Sequence, residues 1–174
     1  MNSEHHSWFA VRVRSRCEKL AATELAQRGF EVFPAAAPQR RVWIDRVRVV
    51  TMPLFAGYIF AKFSPAQRPA VEACTSIASV VRFGRQDVPV EPRELDAIRL
   101  ITGSGLEVVR DPLLRVGALV RVRFGPLKGA QGTLVELKGE HQLVVSVSIL
   151  QRSVAVAIDE AMVEMVRTPM AGAA

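Results

Sequence analysis

The chain has 174 residues, of which 49% are hydrophobic and 23% are charged, the composition of a globular protein with a packed core. It contains no run of roughly 18 or more apolar residues, and its first residues lack the basic start and apolar stretch of a secretory signal, so we expect a cytoplasmic protein without a membrane span. Its two cysteines, Cys17 and Cys74, fit neither a disulfide framework nor a paired metal knuckle.

The net charge of +6 is unevenly distributed along the chain. Residues 1–110 carry 16 Lys and Arg against 11 Asp and Glu, whereas residues 111–174 carry 7 against 6. Clustered positive charge attracts phosphates and acidic surfaces over about a Debye length. The first part of the chain is therefore the one expected to meet a nucleic acid or an acidic protein.

Strands and helices alternate in the pattern of the first hundred residues. Residues 8–13 are apolar and β-prone and predict a strand, after which Ser15 and Glu18 have the spacing of a capping box for a helix over 16–28 that Gly29 ends. The other predicted elements are a strand at 31–33, a basic hairpin at 40–49, a central strand at 54–63, a short helix at 66–75, a strand at 78–83 and a helix from Pro92 through 101. This order predicts an α+β fold, an antiparallel sandwich in which helices cover one face of the sheet and leave the other face or its edge for contacts.

A second unit follows a segment rich in glycine and serine. We predict a first domain over 7–102, a linker over 103–113 and a second domain over 114–167. The second domain reads as short strands with glycine turns, at 119–124, 131–137, 143–149 and 153–158, and its many β-branched residues favour pleated surfaces. Such a pattern predicts a small β-barrel built around the loop 124–129, which indicates a binding module rather than an enzyme.

Catalytic and metal-binding interpretations find little support in the sequence. Cys17 lies on the apolar stripe of the first helix, and His141 sits in a predicted turn without a partner cysteine. Gly103 and Gly105 lack the preceding strand and following helix that a nucleotide-binding loop needs. We therefore expect no enzyme, no catalytic residue, no metal and no cofactor.

Several local patterns together resemble the NusG-like transcription factors over residues 7–166. They are Ser7-Trp8-Phe9, Pro53-Leu54-Phe55-Ala56-Gly57-Tyr58-Ile59-Phe60, Val81-Arg82-Phe83-Gly84 and the glycine-bounded loop of the second unit. The resemblance implies an NGN-like first domain and a C-terminal SH3-like β-barrel that carries the KOW motif. Residues 143–156 are more similar to specialised paralogues of the RfaH or polysaccharide-operon type than to the general factor.

The resemblance also implies a transcription elongation and antitermination factor that binds the clamp helices of RNA polymerase and suppresses pausing or termination. Phe55 and Tyr58 match positions of the family's apolar patch, and Trp8 and Phe9 lie on the neighbouring strand. Because Phe55 and Tyr58 are three residues apart, a regular strand cannot point both to one face, and a bend at Ala56-Gly57 is needed. The alternative is that these aromatics fill the core.

Four arginines of the predicted hairpin, Arg40, Arg41, Arg46 and Arg48, are candidates for contacts with the backbone of DNA or RNA through their pairing with phosphates. The alternative is a solvated hairpin face that binds nothing.

The barrel is implied to recruit a ribosomal protein, Rho or another regulator through the loop Phe124, Gly125, Pro126, Leu127, Lys128 and Gly129. We expect it to keep its β structure, because its β-branched residues and glycines disfavour a helix. A stand-alone RNA-binding or ribosome-associated KOW protein is the alternative function, and in either case we expect a monomer.

Overall fold

The structure, a computed structural model, describes residues 5–111, 117–137 and 139–166. Its helices are α1 (Glu18–Gln27), α2 (Arg68–Glu72) and α3 (Pro92–Gly103). The strands of the first unit are β1 (Ser7–Val13), β2 (Glu31–Phe33), β3 (Ala36–Trp43), β4 (Arg46–Pro53), β5 (Tyr58–Phe63), β6 (Ile77–Val80), β7 (Arg82–Phe83) and β8 (Gln86–Asp87). Those of the second are β9 (Val108–Asp111), β10 (Ala118–Val122), β11 (Gln131–Leu137), β12 (Glu140–Val147), β13 (Arg152–Ala157) and β14 (Val163–Met165). Within the described residues, no helix is long and apolar enough to cross a membrane.

The first unit is built on an antiparallel sheet with the strand order β2-β5-β1-β6. The side chains of β1 and β5 alternate between its two faces, as the period of a strand requires. One face packs on α1 and α2 and forms a core of Phe9, Val11, Val13, Ala21, Leu25, Ile59, Ala61, Phe63, Val71, Cys74, Ile77 and Val80. The predicted antiparallel sheet is thus confirmed, whereas the prediction that helices cover one face alone is wrong, because α3 packs on the other face against Ala10 and Phe60.

The predicted capping box at the start of α1 is wrong. The N-cap is Cys17, with no side-chain cap hydrogen bond, because a tight turn with Arg16 at φ 60° leaves Ser15 too far before the helix. The Glu18 carboxylate instead accepts a hydrogen bond from the Gly57 N–H at 2.9 Å. The first turn of α1 is therefore tied to the chain just before β5.

The predicted strand over 54–63 is shorter in the structure, where β5 begins only at Tyr58. Residues 54–57 form a turn in which the Tyr58 N–H donates to the Phe55 carbonyl at 3.0 Å. Gly57 has a φ of 85°, a conformation that glycine adopts without strain. The bend predicted from the spacing of Phe55 and Tyr58 is confirmed.

The second unit is a six-stranded antiparallel sheet with the order β14-β10-β11-β12-β13-β9. The four strands predicted from the sequence correspond to β10 through β13, and β9 and β14 are additional. β9 lies inside the segment predicted as a linker, and it covers the open edge of β13 through the pair Val156 and Val108. The pairings among the described residues do not join β14 to β9, so closure into a barrel stays a prediction.

A polar cluster fastens α1 to the turn before β6. The Glu24 carboxylate accepts hydrogen bonds from the Thr75 hydroxyl at 2.9 Å, from the Ser76 hydroxyl and from the Ser76 N–H at 3.3 Å. The hydrogen bond from the Ser76 hydroxyl, followed by that from Thr75, lowers the pKa of Glu24 below its usual value of 4.5. Stability from this cluster is therefore fully present above pH 4.5 and is lost as the pH falls through the lower pKa of the folded state.

We expect Glu24→Gln to lower the free energy of unfolding at pH 7, because the amide makes weaker hydrogen bonds with these donors. The difference from the unsubstituted protein should narrow as the pH falls below 4.5, since the glutamate then loses its own charge. Urea unfolding across this pH range measures both effects. Glu107→Gln, at an exposed carboxylate outside the cluster, controls for the loss of one negative charge. A difference that stays constant with pH would contradict the assignment.

Candidate functional site

The second face of the first sheet is covered by α3 and by the second unit. Buried hydrophobic residues form one continuous cluster that runs from this face through α3 into the second sheet. Its members include Ala10, Leu54, Phe55 and Phe60 of the first sheet region, Leu95, Ile98 and Ile101 of α3, and Leu143, Val145, Val147, Val154 and Val156 of the second sheet. The two units therefore share a hydrophobic core in this arrangement.

Phe55 and Tyr58, the two predicted patch residues, lie together in that shared region. Phe55 is only 2% exposed, and its ring meets Phe60 edge to face with 5.9 Å between the centroids. Tyr58 is half-buried and packs against the same cluster. The turn at Ala56-Gly57 brings the two aromatic residues to one side of the sheet, and the burial of Phe55 is also what the alternative of a core residue expects.

Arg152 of the second unit sits directly on this turn. Its guanidinium carbon lies 4.8 Å from the centroid of the Tyr58 ring, and its Nη1 donates a hydrogen bond to the Ala56 carbonyl at 3.0 Å. Gln151, at φ 51°, ends the short turn between β12 and β13, and Arg152 follows it directly as the first residue of β13. A cation from the second unit thus faces both the aromatic ring and a backbone carbonyl of the predicted patch.

A second polar contact joins α3 to the end of β12. Both carboxylate oxygens of Glu94 accept from the Ser148 N–H at 3.2 Å, and one also accepts from the Ser148 hydroxyl. Glu94 lies in the first turn of α3, where the helix dipole favours an acidic side chain. Glu94 therefore serves both the start of its own helix and the contact between the units.

The predicted residues Trp8 and Phe9 lie on opposite faces of the sheet. Trp8 is half-buried against the shared cluster, with the Arg99 guanidinium of α3 at 4.7 Å from its ring centroid. Phe9 is 2% exposed in the other core, where its ring centroid lies 4.7 Å from that of Phe63. The structure therefore groups Trp8 with Phe55 and Tyr58, whereas the packing of Phe9 is that of a core residue.

The four predicted arginines lie on the hairpin of β3 and β4, where residues 40–51 are all exposed. Arg41 is paired directly with Arg48 across the two strands, whereas Arg40 is paired with Val49. Arg46 follows the tip, with its Nε 3.8 Å from the Asp45 carboxylate. All four side chains are accessible to a partner, and they are divided between the two faces of the hairpin.

The predicted loop 124–129 of the second unit combines exposed and buried residues. Phe124 is 56% exposed with the Arg123 guanidinium 5.1 Å from its ring centroid, whereas Leu127 is buried. Lys128, between Leu127 and Gly129, is exposed. The side chains of Phe124 and Leu127 line a cavity of about 200 Å³ together with Leu106, Val122, Pro126, Ala157, Ile158, Asp159 and Met162.

Sequence reasoning missed Glu94, Arg99 and Arg152, which contact the predicted patch or join the two units. The sequence carries one weak signal for Arg152, which is the one charged residue of the segment 143–158. Glu94 and Arg99 belong to the polar side of an amphipathic helix, where charged residues are ordinary.

Two further kinds of site, a metal site and a reactive thiol, were considered in the part of the chain that the structure describes. No three His, Cys, Asp or Glu residues are grouped there in a way that could hold a metal ion. Burial raises the pKa of the Cys74 thiol, which disfavours the reactive thiolate.

Similarity to known proteins identifies the family of the chain. No curated protein matches it in sequence. The chain is similar to a solved structure described as "Domain interaction in Thermotoga maritima NusG", with 22% identity and a TM-score of 0.52 over 94% of this chain and 98% of that one, a likeness in fold alone. It is also similar to a structure of the MjSpt4:Spt5 complex in conformation B, with 13% identity and a TM-score of 0.33 over 92% of this chain and 97% of that one. The profile of the family described as "Transcription termination factor nusG" matches residues 6–99, more than half of the chain. The chain therefore belongs to the NusG family of transcription factors.

Proposed function

We propose that the protein is a cytoplasmic elongation and antitermination factor that binds the clamp helices of RNA polymerase through the apolar surface around Trp8, Phe55 and Tyr58. The observation that carries this proposal is that Phe55 and Tyr58 lie where the second unit packs on the first, with the Arg152 guanidinium of the second unit over the Tyr58 ring. Aromatic anchors bury a large apolar area at low cost in rotamer entropy, which suits them to such an interface. Attachment would suppress pausing or termination, as the family resemblance implies.

In this proposal, polymerase and the second unit compete for the surface around Trp8, Phe55 and Tyr58. Phe55 is buried in the cluster that the two units share, an arrangement called here the closed one, and in this proposal a partner reaches it after the second unit moves away. The polar contacts of Arg152 and Glu94 lie in exposed or half-exposed positions, where such pairs are worth about 1 kcal/mol or less each. These polar contacts therefore add little to the closed arrangement, and a partner must mainly replace the apolar contacts of the shared cluster.

The second unit is proposed to act as a closed SH3-like barrel that recruits a ribosomal protein, Rho or another regulator through the loop 124–129. The exposed ring of Phe124 and the exposed Lys128 support a docking role for that loop. We also propose a specialised paralogue of the RfaH type, on the pattern of residues 143–156. In this protein the unit keeps its β structure after release, as the strands β12 and β13 favour.

The polymerase contact is tested by recovering RNA polymerase on the immobilised protein from a nuclease-treated extract. Tyr58→Ala should lower the recovery several-fold, because it removes an anchor at the edge of the patch. Phe124→Ala, which truncates an exposed aromatic residue of the second unit, is the matched control and should leave recovery unchanged. Recovery of ribosomal components that depends on RNA and ignores Tyr58→Ala would favour the alternative, a stand-alone RNA-binding or ribosome-associated protein.

A further inference from the structure

The short hairpin of β7 and β8 presents an aromatic ring at its tip. Phe83 is 77% exposed and is paired with Gln86, so the loop between the two strands consists of Gly84 and Arg85 alone. Gly84 has a φ of 62°, the sign that a type II′ hairpin turn has at its first central residue. Arg85 is exposed next to it. The tip of this hairpin therefore offers an apolar anchor and a cation to a partner.

An ion pair fixes the base of the same hairpin on α2. Both carboxylate oxygens of Asp87 in β8 accept from Nη1 of Arg68 at 3.0 Å. The Asp87 side chain is only 12% exposed, so solvent and salt screen this pair less than a surface pair. The hairpin is thus held in place before any partner arrives, which lowers the entropy lost when its tip is bound.

A groove of about 410 Å³ lies beside the Phe83 ring and combines apolar with acidic side chains. Glu91 is exposed at the N-cap of α3 and makes no side-chain capping hydrogen bond, and Glu94 lies in the first turn of the same helix. One wall of the groove comes from the second unit through Ser148 and Ile149. The apolar part of the lining consists of Phe83, Val88, Pro89 and Ile149.

The tip of the hairpin and the groove are complementary in charge and in polarity. Within one chain Phe83 forms only a wall of the groove and stays exposed, so the hairpin does not fill the groove of its own chain. A second copy of the chain supplies both parts that the groove fits, an aromatic ring and the cation of Arg85 opposite the two carboxylates. Because tip and groove lie side by side, one twofold rotation brings each tip to the groove of the other copy.

We propose that two copies of the chain associate through this surface as a twofold dimer, with each Phe83 in the groove of the other copy and each Arg85 beside the Glu91 of that copy. The contact is small, so the dimer is weak and forms at protein concentrations on the order of 100 μM, in place of the monomer expected from the sequence. Since Ser148 and Ile149 complete the groove, the dimer needs the closed arrangement. The inference goes beyond the proposed function and does not depend on polymerase.

Association is measured by sedimentation velocity of the full chain at concentrations from about 5 to 500 μM, a range that brackets the expected dissociation constant. The unsubstituted protein should change from monomer to dimer within this range. Phe83→Ala should weaken association about tenfold or more, because it removes the aromatic anchor. Phe124→Ala, which truncates an exposed aromatic residue of the second unit, is the matched control and should associate as the unsubstituted protein does.

A charge exchange tests the pairing of tip with groove. Arg85→Glu places a carboxylate opposite carboxylates in both halves of the dimer, and Glu91→Arg places a guanidinium opposite Arg85, so each variant alone should associate about tenfold more weakly. An equimolar mixture of the two variants restores opposite charges between position 85 of each copy and position 91 of the other. The mixture should therefore associate more tightly than either variant by itself. Lys19→Glu, on the exposed side of α1, reverses a charge away from this surface and should have no effect.

Four results would overturn the inference. They are a chain that stays monomeric over the whole range, an unchanged association of Phe83→Ala, a mixture that associates no better than its components, and growth beyond dimers, which indicates an open head-to-tail contact. Because Phe83, Arg85 and Glu91 are all exposed, these substitutions leave the two cores intact.

Discussion

Arg152→Glu should increase the recovery of RNA polymerase on the protein by about tenfold or more. The substitution removes the cation over the Tyr58 ring and the donor to the Ala56 carbonyl, and it places a carboxylate against two electron-rich groups. A hydrogen bond from a charged group and a cation–π contact at a half-exposed site together amount to about 2 kcal/mol after solvent screening, or roughly 30-fold in the opening equilibrium. Quantitative recovery from a nuclease-treated extract measures the change.

Arg123→Glu is the matched control for this experiment. The Arg123 guanidinium also lies over an aromatic ring, that of Phe124, but both residues belong to the second unit. The same reversal of charge should leave polymerase recovery as it was. An equal rise for both variants, or no rise for Arg152→Glu, would show that the Arg152 contact does not hold the surface closed.

Phe55→Ala should lower the free energy of unfolding by about 3 to 5 kcal/mol and abolish polymerase recovery. The loss of stability follows from the nearly complete burial of the ring and its contact with Phe60, since truncation leaves a cavity in a packed core. The loss of recovery follows from its proposed role as an anchor of the opened surface. Urea unfolding and the extract assay measure the two effects separately.

Phe63→Ala separates the anchor role from simple destabilisation. Phe63 is fully buried in the core beneath α1 and α2, on the face of the sheet opposite Phe55. Its truncation should cost a similar amount of stability and still leave polymerase recovery largely intact at temperatures well below unfolding. Equal losses of recovery in both variants would attribute the effect of Phe55→Ala to unfolding alone.

The elements that the sequence predicted best are those whose pattern is local. Alternation along β1, the helix α3 that opens at Pro92 and the valine-rich strands β12 and β13 all carry their own periodicity. β9 and β14 were missed, because β9 lies in the segment interpreted as a linker and both short strands are defined mainly by the partners that they pair with. The capping box at Ser15 failed for a related reason, since the turn at Arg16 depends on how β1 leads into α1.

In the candidate site too, the sequence predicted the features that depend on neighbouring residues and missed those that depend on distant ones. The spacing of Phe55 and Tyr58 was enough to predict the bend that brings them together, because it follows from the period of a strand. Their cover by Arg152 was beyond the reach of the sequence, since that residue lies 96 positions after Ala56 and its neighbours form an ordinary strand. Contacts between residues far apart in the chain leave little trace in local patterns, and for this reason the packing of the two units emerged only from the structure.

The pairing of β9 with β13 leaves only residues 104–107 between α3 and the second sheet. Four residues span at most about 14 Å, so a displaced second unit stays at an effective concentration of millimolar order or higher near the surface that it left. Under the proposed function, polymerase must therefore compete with a second unit that stays tethered beside the surface. We expect the tethered second unit to recapture the surface when the proposed complex with polymerase dissociates, which disfavours rebinding of polymerase before the next round of transcription.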